Sequence, residues 1–433
     1  MPRRIVRGID YKRTAALGID ELFVQKEKSD DNHFYTWQLD PDIDVCPNCG
    51  SAFFKPHNLF HREYVDVITA DSTFKTVTLF YEFYKYRCLN PKCGSIFSKQ
   101  INFASVYDNV TYRLEDTIAH LVIKGYSYGE ISSLLSYSLT KQAIGNIFNR
   151  WVRRRIDRIS FKQVPKCLAV ISGVSKYDQY TLFLNLDGGI RIFDAIFGVN
   201  SLDIAAWLRN TGLTDVDTLI SDCDPTIYDV INDNLQENTY IIPIDYWFKL
   251  VRDDFAEYSH EILKWCTVKN KNELILKSKS ELGFRSSDLE MLIKARPEIE
   301  QPYRDYNELK ELIKSRDEEW TYNKIQIWAE SVCPDFKKEL GSTILRLNTY
   351  KEAIYQHELH PELVPENLAY LTDELERTIN NGKSDIFSDA CLKAKILFSV
   401  PADLGNWQGV PIEEVINTLQ SANTYGGNIY DYK

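Results

Sequence analysis

The sequence predicts a multidomain α+β protein: a four-cysteine zinc ribbon, a helix-turn-helix, and a mixed α/β sheet followed by a long helical stretch. Three observations carry that prediction. Cysteines fall into two close pairs, Cys46/Cys49 and Cys88/Cys93, on either side of a strand-like segment. The apolar period is strand-like before about residue 98, helical over 110–166, strand-like again from 167 and mostly helical from about 250. Charge is also uneven. Residues 1–166 hold 24 Lys and Arg against 18 Asp and Glu, and residues 167–433 hold 27 against 44, although the whole chain carries −11. Any polyanion is therefore expected to meet the front of the chain.

A chain of 433 residues has room for two or three compact domains, and 44% hydrophobic with 26% charged residues is a globular balance that excludes wholesale disorder. No run approaches the ~18–20 apolar residues of a membrane span. MPRRIVRGIDYKRT is charged but leads into no apolar segment, so neither a secretory leader nor a membrane partner is expected. The expected address is the cytoplasm, at the nucleoid, where nine cysteines serve as thiols or metal ligands.

Residues 1–40 are polar and mixed in charge, and are expected to form an arm with little structure. Residues 41–98 read as the ribbon. YVDVITAD and KTVTLFYEFYKYRC are rich in Val, Thr, Tyr and Phe, as strands are. Cys46-Pro-Asn-Cys49-Gly and Cys88-Leu-Asn-Pro-Lys-Cys93-Gly stand at their ends. Four thiolates on two turns match the tetrahedral preference of Zn²⁺ and leave no open position, so the metal is expected to be structural. Gly50 and Gly94 suit the left-handed backbone of such turns. Four intervening residues in the second pair predict a looser loop than the first. The other five cysteines are scattered and read as core thiols.

Residues 99–166 read as a helix-turn-helix DNA-binding domain. YRLEDTIAHLVIK is amphipathic, Gly125 breaks it, and Ser127 is placed to cap YGEISSLLS. Ser138 or Thr140 caps the next helix, which is expected to present Lys141, Gln142, Asn146 and Arg150 outward. Gln, Asn and Arg are side chains that read base edges in the major groove. Arg150, Arg153, Arg154, Arg155, Arg158, Lys162 and Lys166, with only Asp157 among them, suit phosphate contact. A plain helical hairpin with a solvated basic face is the bland alternative.

From 167, CLAVISGVS, YTLFLNLDG and GIRIFDAIFG form three strands in a meander; DTLISDCD and TYIIPID follow as two more, with a helix between them. Asp222, Asp224 and Asp245 lie at strand ends, where they either bind metal or cap the next helix. Residues 251–375 are charged and helical, and Trp320 and Trp328 within them read as core. Residues 401–433 read as a tail.

This order of parts resembles the bacterial DDE insertion-sequence transposases of the ISL-three family, over roughly residues 41–400. The resemblance rests on Lys166–Ser175, Thr218–Tyr228, Thr239–Phe248 and Ile379–Asp385. It implies a ribonuclease H-like domain over 167–250 and 376–400, with 251–375 as a helical insertion. It also implies a homo-oligomer acting on double-stranded DNA, at terminal inverted repeats. In that family two Asp and a Glu hold two Mg²⁺ ions that flank the scissile phosphate. Here Asp222 matches the second acid and Asp385 the last, but Ser172 and Gly173 occupy the Asp-Glu position of the first. A hydroxyl is a poor bridge between two cations. The expectation is thus a transposase-like, sequence-specific DNA-binding protein with lost or weakened strand transfer. The rival expectations are an active cut-and-paste transposase with a shifted acid set, using Asp178 or Asp187, and a zinc-bearing protein scaffold that binds no DNA.

Overall fold

The computed structural model describes residues 22–25, 33–38, 43–70, 73–98, 101, 103–105, 108–159, 165–211, 216–234, 238–315, 322–381 and 388–424. It divides into two compact units, residues 1–158 with 382–385 and 419–433, and residues 159–381 with 386–418.

The first unit is built on a long hairpin, β3 (Phe54–Ala70) and β4 (Thr73–Cys88), paired from Phe54↔Cys88 to Ala70↔Thr73. Two strands from the expected arm, β1 (Leu22–Gln25) and β2 (His33–Gln38), join it: β1 pairs with β2, and β2 runs parallel to β4. That part of the chain therefore has more structure than its mixed charge suggests. The short β5 (Ile96–Phe97) pairs with the other end of β4. Alternation along the hairpin places Tyr64, Val77, Leu79 and Tyr81 in one core, closed by Ala104 and Phe103.

Three helices follow, α1 (Tyr112–Ile123), α2 (Tyr128–Leu134) and α3 (Lys141–Ile156). Each begins on a hydroxyl cap: Thr111, Ser127 in a full capping box with Glu130, and Thr140. Of the two caps considered for α3, Thr140 is the one that accepts the Ala143 N–H, at 3.2 Å. Gly125 takes φ 91° after α1, and Ser136 and Tyr137 both adopt positive φ in the turn before α3. Leu114, Ile118, Ile131, Leu135, Ile144 and Phe148 are fully buried between the three helices.

The second unit is a six-stranded sheet in the order β10-β9-β6-β7-β8-β11. Strands β6 (Cys167–Val174), β7 (Gln179–Asn185) and β8 (Arg191–Phe197) form an antiparallel meander. After α4 (Ser201–Thr211), β9 (Thr218–Ser221) lies parallel to β6; after α5 (Pro225–Asn234), β10 (Thr239–Ile241) lies parallel to β9. The boundary expected at 250/251 falls inside one helix, α6 (Ile244–Leu263), whose Trp247 donates to the Thr343 carbonyl. Eight more helices, α7–α14, occupy 271–359 among the described residues. They are tied to the sheet edge, where Ile242 N–H donates to the Ala353 carbonyl and Ile244 N–H to His357 Nδ1. Trp328 is buried here, as expected; Trp320 lies outside the described residues.

Helices α15 (Leu368–Asn381) and α16 (Asp389–Ile396) then return to the sheet. Residues 401–424, expected as a tail, instead supply the sixth strand, β11 (Val410–Pro411), and α17 (Ile412–Thr424). Gly409 makes this fit: at φ 90°, a Cβ would lie 2.6 Å from the Ile192 carbonyl oxygen. Buried Trp407 secures it by donating to the Phe193 carbonyl at 2.7 Å.

Candidate metal centre, recognition helix and carboxylate pocket

The hairpin register sets Phe54 beside Cys88, which brings the two cysteine turns together. All four sulfurs of Cys46, Cys49, Cys88 and Cys93 lie within 4.8 Å of one another. Cys46 and Cys93 are 3.9 Å apart, and Cys49 and Cys88 3.6 Å. Four sulfurs about 2.3 Å from a zinc ion form a tetrahedron with edges of about 3.8 Å, so the donor set fits Zn²⁺. The first turn closes through Gly50 N–H to the Cys46 carbonyl, and Gly50 and Gly94 both have positive φ. The second turn is as tight as the first, contrary to the spacing argument. Asn90 absorbs the extra residues: its carbonyl accepts from Cys93 and Gly94, and its own N–H donates to Cys88 Sγ. The Ser95 hydroxyl, shared by the Cys46 and Cys93 sulfurs, lowers the Cys46 thiol to about 6 and lowers Cys93. Burial raises Cys88 to about 12.

On α3, Lys141, Gln142, Asn146, Asn149 and Arg153 are exposed, and Arg158 is exposed just beyond its end. Gln142, Asn146, Asn149 and Arg153 fall within about 60° of arc at 3.6 residues per turn. Asn149 was not among the expected contacts, although its spacing of three from Asn146 marks the same face.

Two of the expected contacts, Arg150 and Arg154, turn inward, and a third, Arg155, is paired at the surface. Arg150 pairs with Asp108 at 2.7 Å and with Glu115 at 3.1 Å. Arg154 pairs with Glu115 and lies over the Tyr112 ring; Arg155 pairs with Asp116 at 3.6 Å and lies over Trp151. The physical reason is Glu115, buried on α1, whose charge needs a cation. Counting acids only within the basic run overlooked those of α1. Lys162 lies outside the described residues, and Lys166 pairs with Asp217 at 3.7 Å.

In the second unit the structure places Ser172 and Asp222 side by side on neighbouring parallel strands. Ser172 donates to Asp222 Oδ2 from its N–H at 2.7 Å and from its hydroxyl at 2.5 Å. Asp224 N–H takes Oδ1 at 3.1 Å. Asp222 is 7% exposed, and burial pushes its carboxyl up to about 6 against these hydrogen bonds. Gly173 is a packing requirement, since a Cβ there would meet the Tyr180 ring at 2.3 Å.

Four other acids, Asp224, Asp178, Asp187 and Asp389, are engaged elsewhere. Asp224 caps α5 by accepting from Thr226 and Ile227. Asp178 closes the β6–β7 turn, where its N–H and carbonyl both engage Ser175 Oγ. Asp187 accepts from Lys166 and Cys167 N–H at the start of β6, roughly 16 Å of strand from Ser172. Asp389 accepts from Phe197 N–H and pairs with Lys393 at 3.6 Å. Asp385 lies outside the described residues.

Two further carboxylates, which the sequence did not single out, are Asp373 and Glu376 on α15. Their charges act on Tyr180, and those of Asp222 and Asp373 act on buried Tyr246. Both acids are held by cations of α6: Lys249 lies 2.7 Å from Asp373 and 3.1 Å from Glu376, and Arg252 lies 3.2 Å from Asp373. Mg²⁺ wants several charged oxygens in octahedral geometry. Among the described residues, one saturated carboxylate, a hydroxyl and two acids already paired with cations do not fit a pair of such ions.

No protein-family model matches the chain, and no curated protein is a significant match. Among the described residues no helix is long and apolar enough to cross a membrane.

Proposed function

We propose that the chain is a sequence-specific DNA-binding protein of transposase type whose strand-transfer centre is disarmed. One observation carries the binding half: Gln142, Asn146, Asn149 and Arg153 form a single exposed line on α3, while Ile144, Ile147, Phe148 and Trp151 are buried. Amides and a guanidinium along one helix edge are what a major groove accepts, and Lys141 and Arg158 flank them for phosphate contact.

The disarmed half is supported by the sheet. Three antiparallel strands followed by two parallel ones, in the order β8-β7-β6-β9-β10, suit a ribonuclease H-like domain. In such a domain Ser172 and Asp222 occupy the place of the paired aspartates. Ser172 donates to Asp222 where a carboxylate would share a cation with it.

The test is selection of a bound sequence from random duplexes, followed by a gel shift. Gln142→Ala and Asn146→Ala should each cost about 1–3 kcal/mol on the selected site and little on other DNA. Equal losses on all sequences would reduce α3 to a charged strut. Mg²⁺-dependent nicking abolished by Asp222→Ala would instead establish the active transposase.

A further inference from the structure

A second charged surface lies at the cysteine end of the hairpin, on the face away from the sulfurs. Lys55 and Arg87 stand directly opposite each other in the antiparallel ladder, and Lys85 follows one same-face step later, opposite Asn58. Lys55 and Arg87 are exposed. Lys85 is pinned with its ammonium 4.2 Å from the Phe60 ring centroid. The neighbouring same-face positions carry Phe60, Phe83 and Ile96, with no carboxylate. Like charges facing across a ladder destabilise a sheet by up to about 1 kcal/mol. Further along this face Arg62 stands opposite Tyr81 and the ladder closes into the core of Tyr64, Leu79 and Tyr81, with Asp66 buried beyond it, so the exposed basic pair Lys55 and Arg87 lies at the cysteine end.

We propose that this Lys55–Lys85–Arg87 face is a second DNA contact, gripping backbone phosphates while α3 reads bases. It rests on the DNA-binding reading. Charge complementarity favours a polyphosphate, because two exposed cations face each other across the ladder with no carboxylate at the neighbouring same-face positions. An acidic protein surface is the competing occupant.

The experiment uses the full chain loaded with zinc and a random-sequence duplex, with binding followed by fluorescence anisotropy across a salt series. Each phosphate contact contributes about 0.9 to the slope of log affinity against log salt. Lys55→Ala/Arg87→Ala should therefore flatten the slope by about 1.8 with zinc content unchanged. The charge-conserving pair Lys55→Arg/Arg87→Lys should keep the slope and so controls for misfolding. An unchanged slope in the alanine pair, with zinc retained, overturns the proposal. So does loss of self-association with DNA binding intact, which would assign the face to a second copy of the chain. If wild type shows no salt-dependent binding at all, the DNA reading itself has failed; if only the ribbon variant is silent, α3 stands alone.

Discussion

Asp222 shows how a neighbouring hydroxyl sets the state of a buried carboxyl. Its carboxyl is held near 6, above the ordinary value of 3.8, because it is buried. The folded chain therefore binds more protons than the unfolded chain between those values. This group's stabilising contribution is complete below about 3.8 and is lost as pH rises through about 6. Two units correspond to about 3 kcal/mol as an upper bound. The Ser172 hydroxyl offsets part of that loss, since a donor to an ionised carboxylate is worth about 1.5–3 kcal/mol and a donor to a neutral acid about 1 kcal/mol. Ser172→Ala should therefore be more destabilising at about pH 8 than at about pH 4, by ~1–2 kcal/mol. Urea unfolding of the variant and wild type at both pH values checks this. Equal losses at the two would mean that the hydroxyl does not sense the charge.

Among the elements, the joint between hairpin and helices turns on Asp66. This residue is 1% exposed on β3 and accepts from Thr111 Oγ1 at 2.5 Å, from Val67 N–H, and from the Arg113 guanidinium. The cap of α1 and its first-turn arginine are thus fastened to the ribbon by one carboxylate. Asp66→Ala strands those donors, and because Arg113 is one-third exposed the cost is set at about 2–3 kcal/mol. Hydrogen exchange should show it first in α1, with the cysteine end of the hairpin still protected; uniform loss of protection would contradict a local joint. Local signals explain what could be read beforehand. Cysteine spacing, the shift of apolar period and hydroxyl caps are neighbour effects, and they located the four ligands, the three helices and the meander. Long-range pairing left no such mark. Arg150 and Arg154 meet Glu115 on another helix, Lys249 meets acids more than 120 residues away, and β11 pairs with β8 more than 200 residues before it, where Trp407 and Gly409 fit the sheet.

For the molecule as a whole, the two ends of the chain carry opposite charge, and on the proposed reading the roles of the two metals, Zn²⁺ and Mg²⁺, should separate accordingly. Residues 167–433 hold 44 acidic against 27 basic residues, so they repel a polyanion, and the proposed DNA contacts belong to the front. At physiological salt the screening length is about 8 Å, which removes most of that distant repulsion but spares direct phosphate contacts. With zinc at the cysteine turns the ribbon would depend on the ion, because the apolar core at that end is small, Tyr86, Phe97 and Phe54. Cys88→Ser should therefore lose zinc and most DNA affinity together, read by metal analysis and gel shift on the same sample. Asp222→Ala should bind DNA within about twofold of wild type, or ~0.4 kcal/mol, and added Mg²⁺ should lower the affinity of both equally and leave the DNA intact. The reverse pattern, with binding indifferent to zinc and cleavage dependent on Asp222 and Mg²⁺, would return the chain to the working transposases.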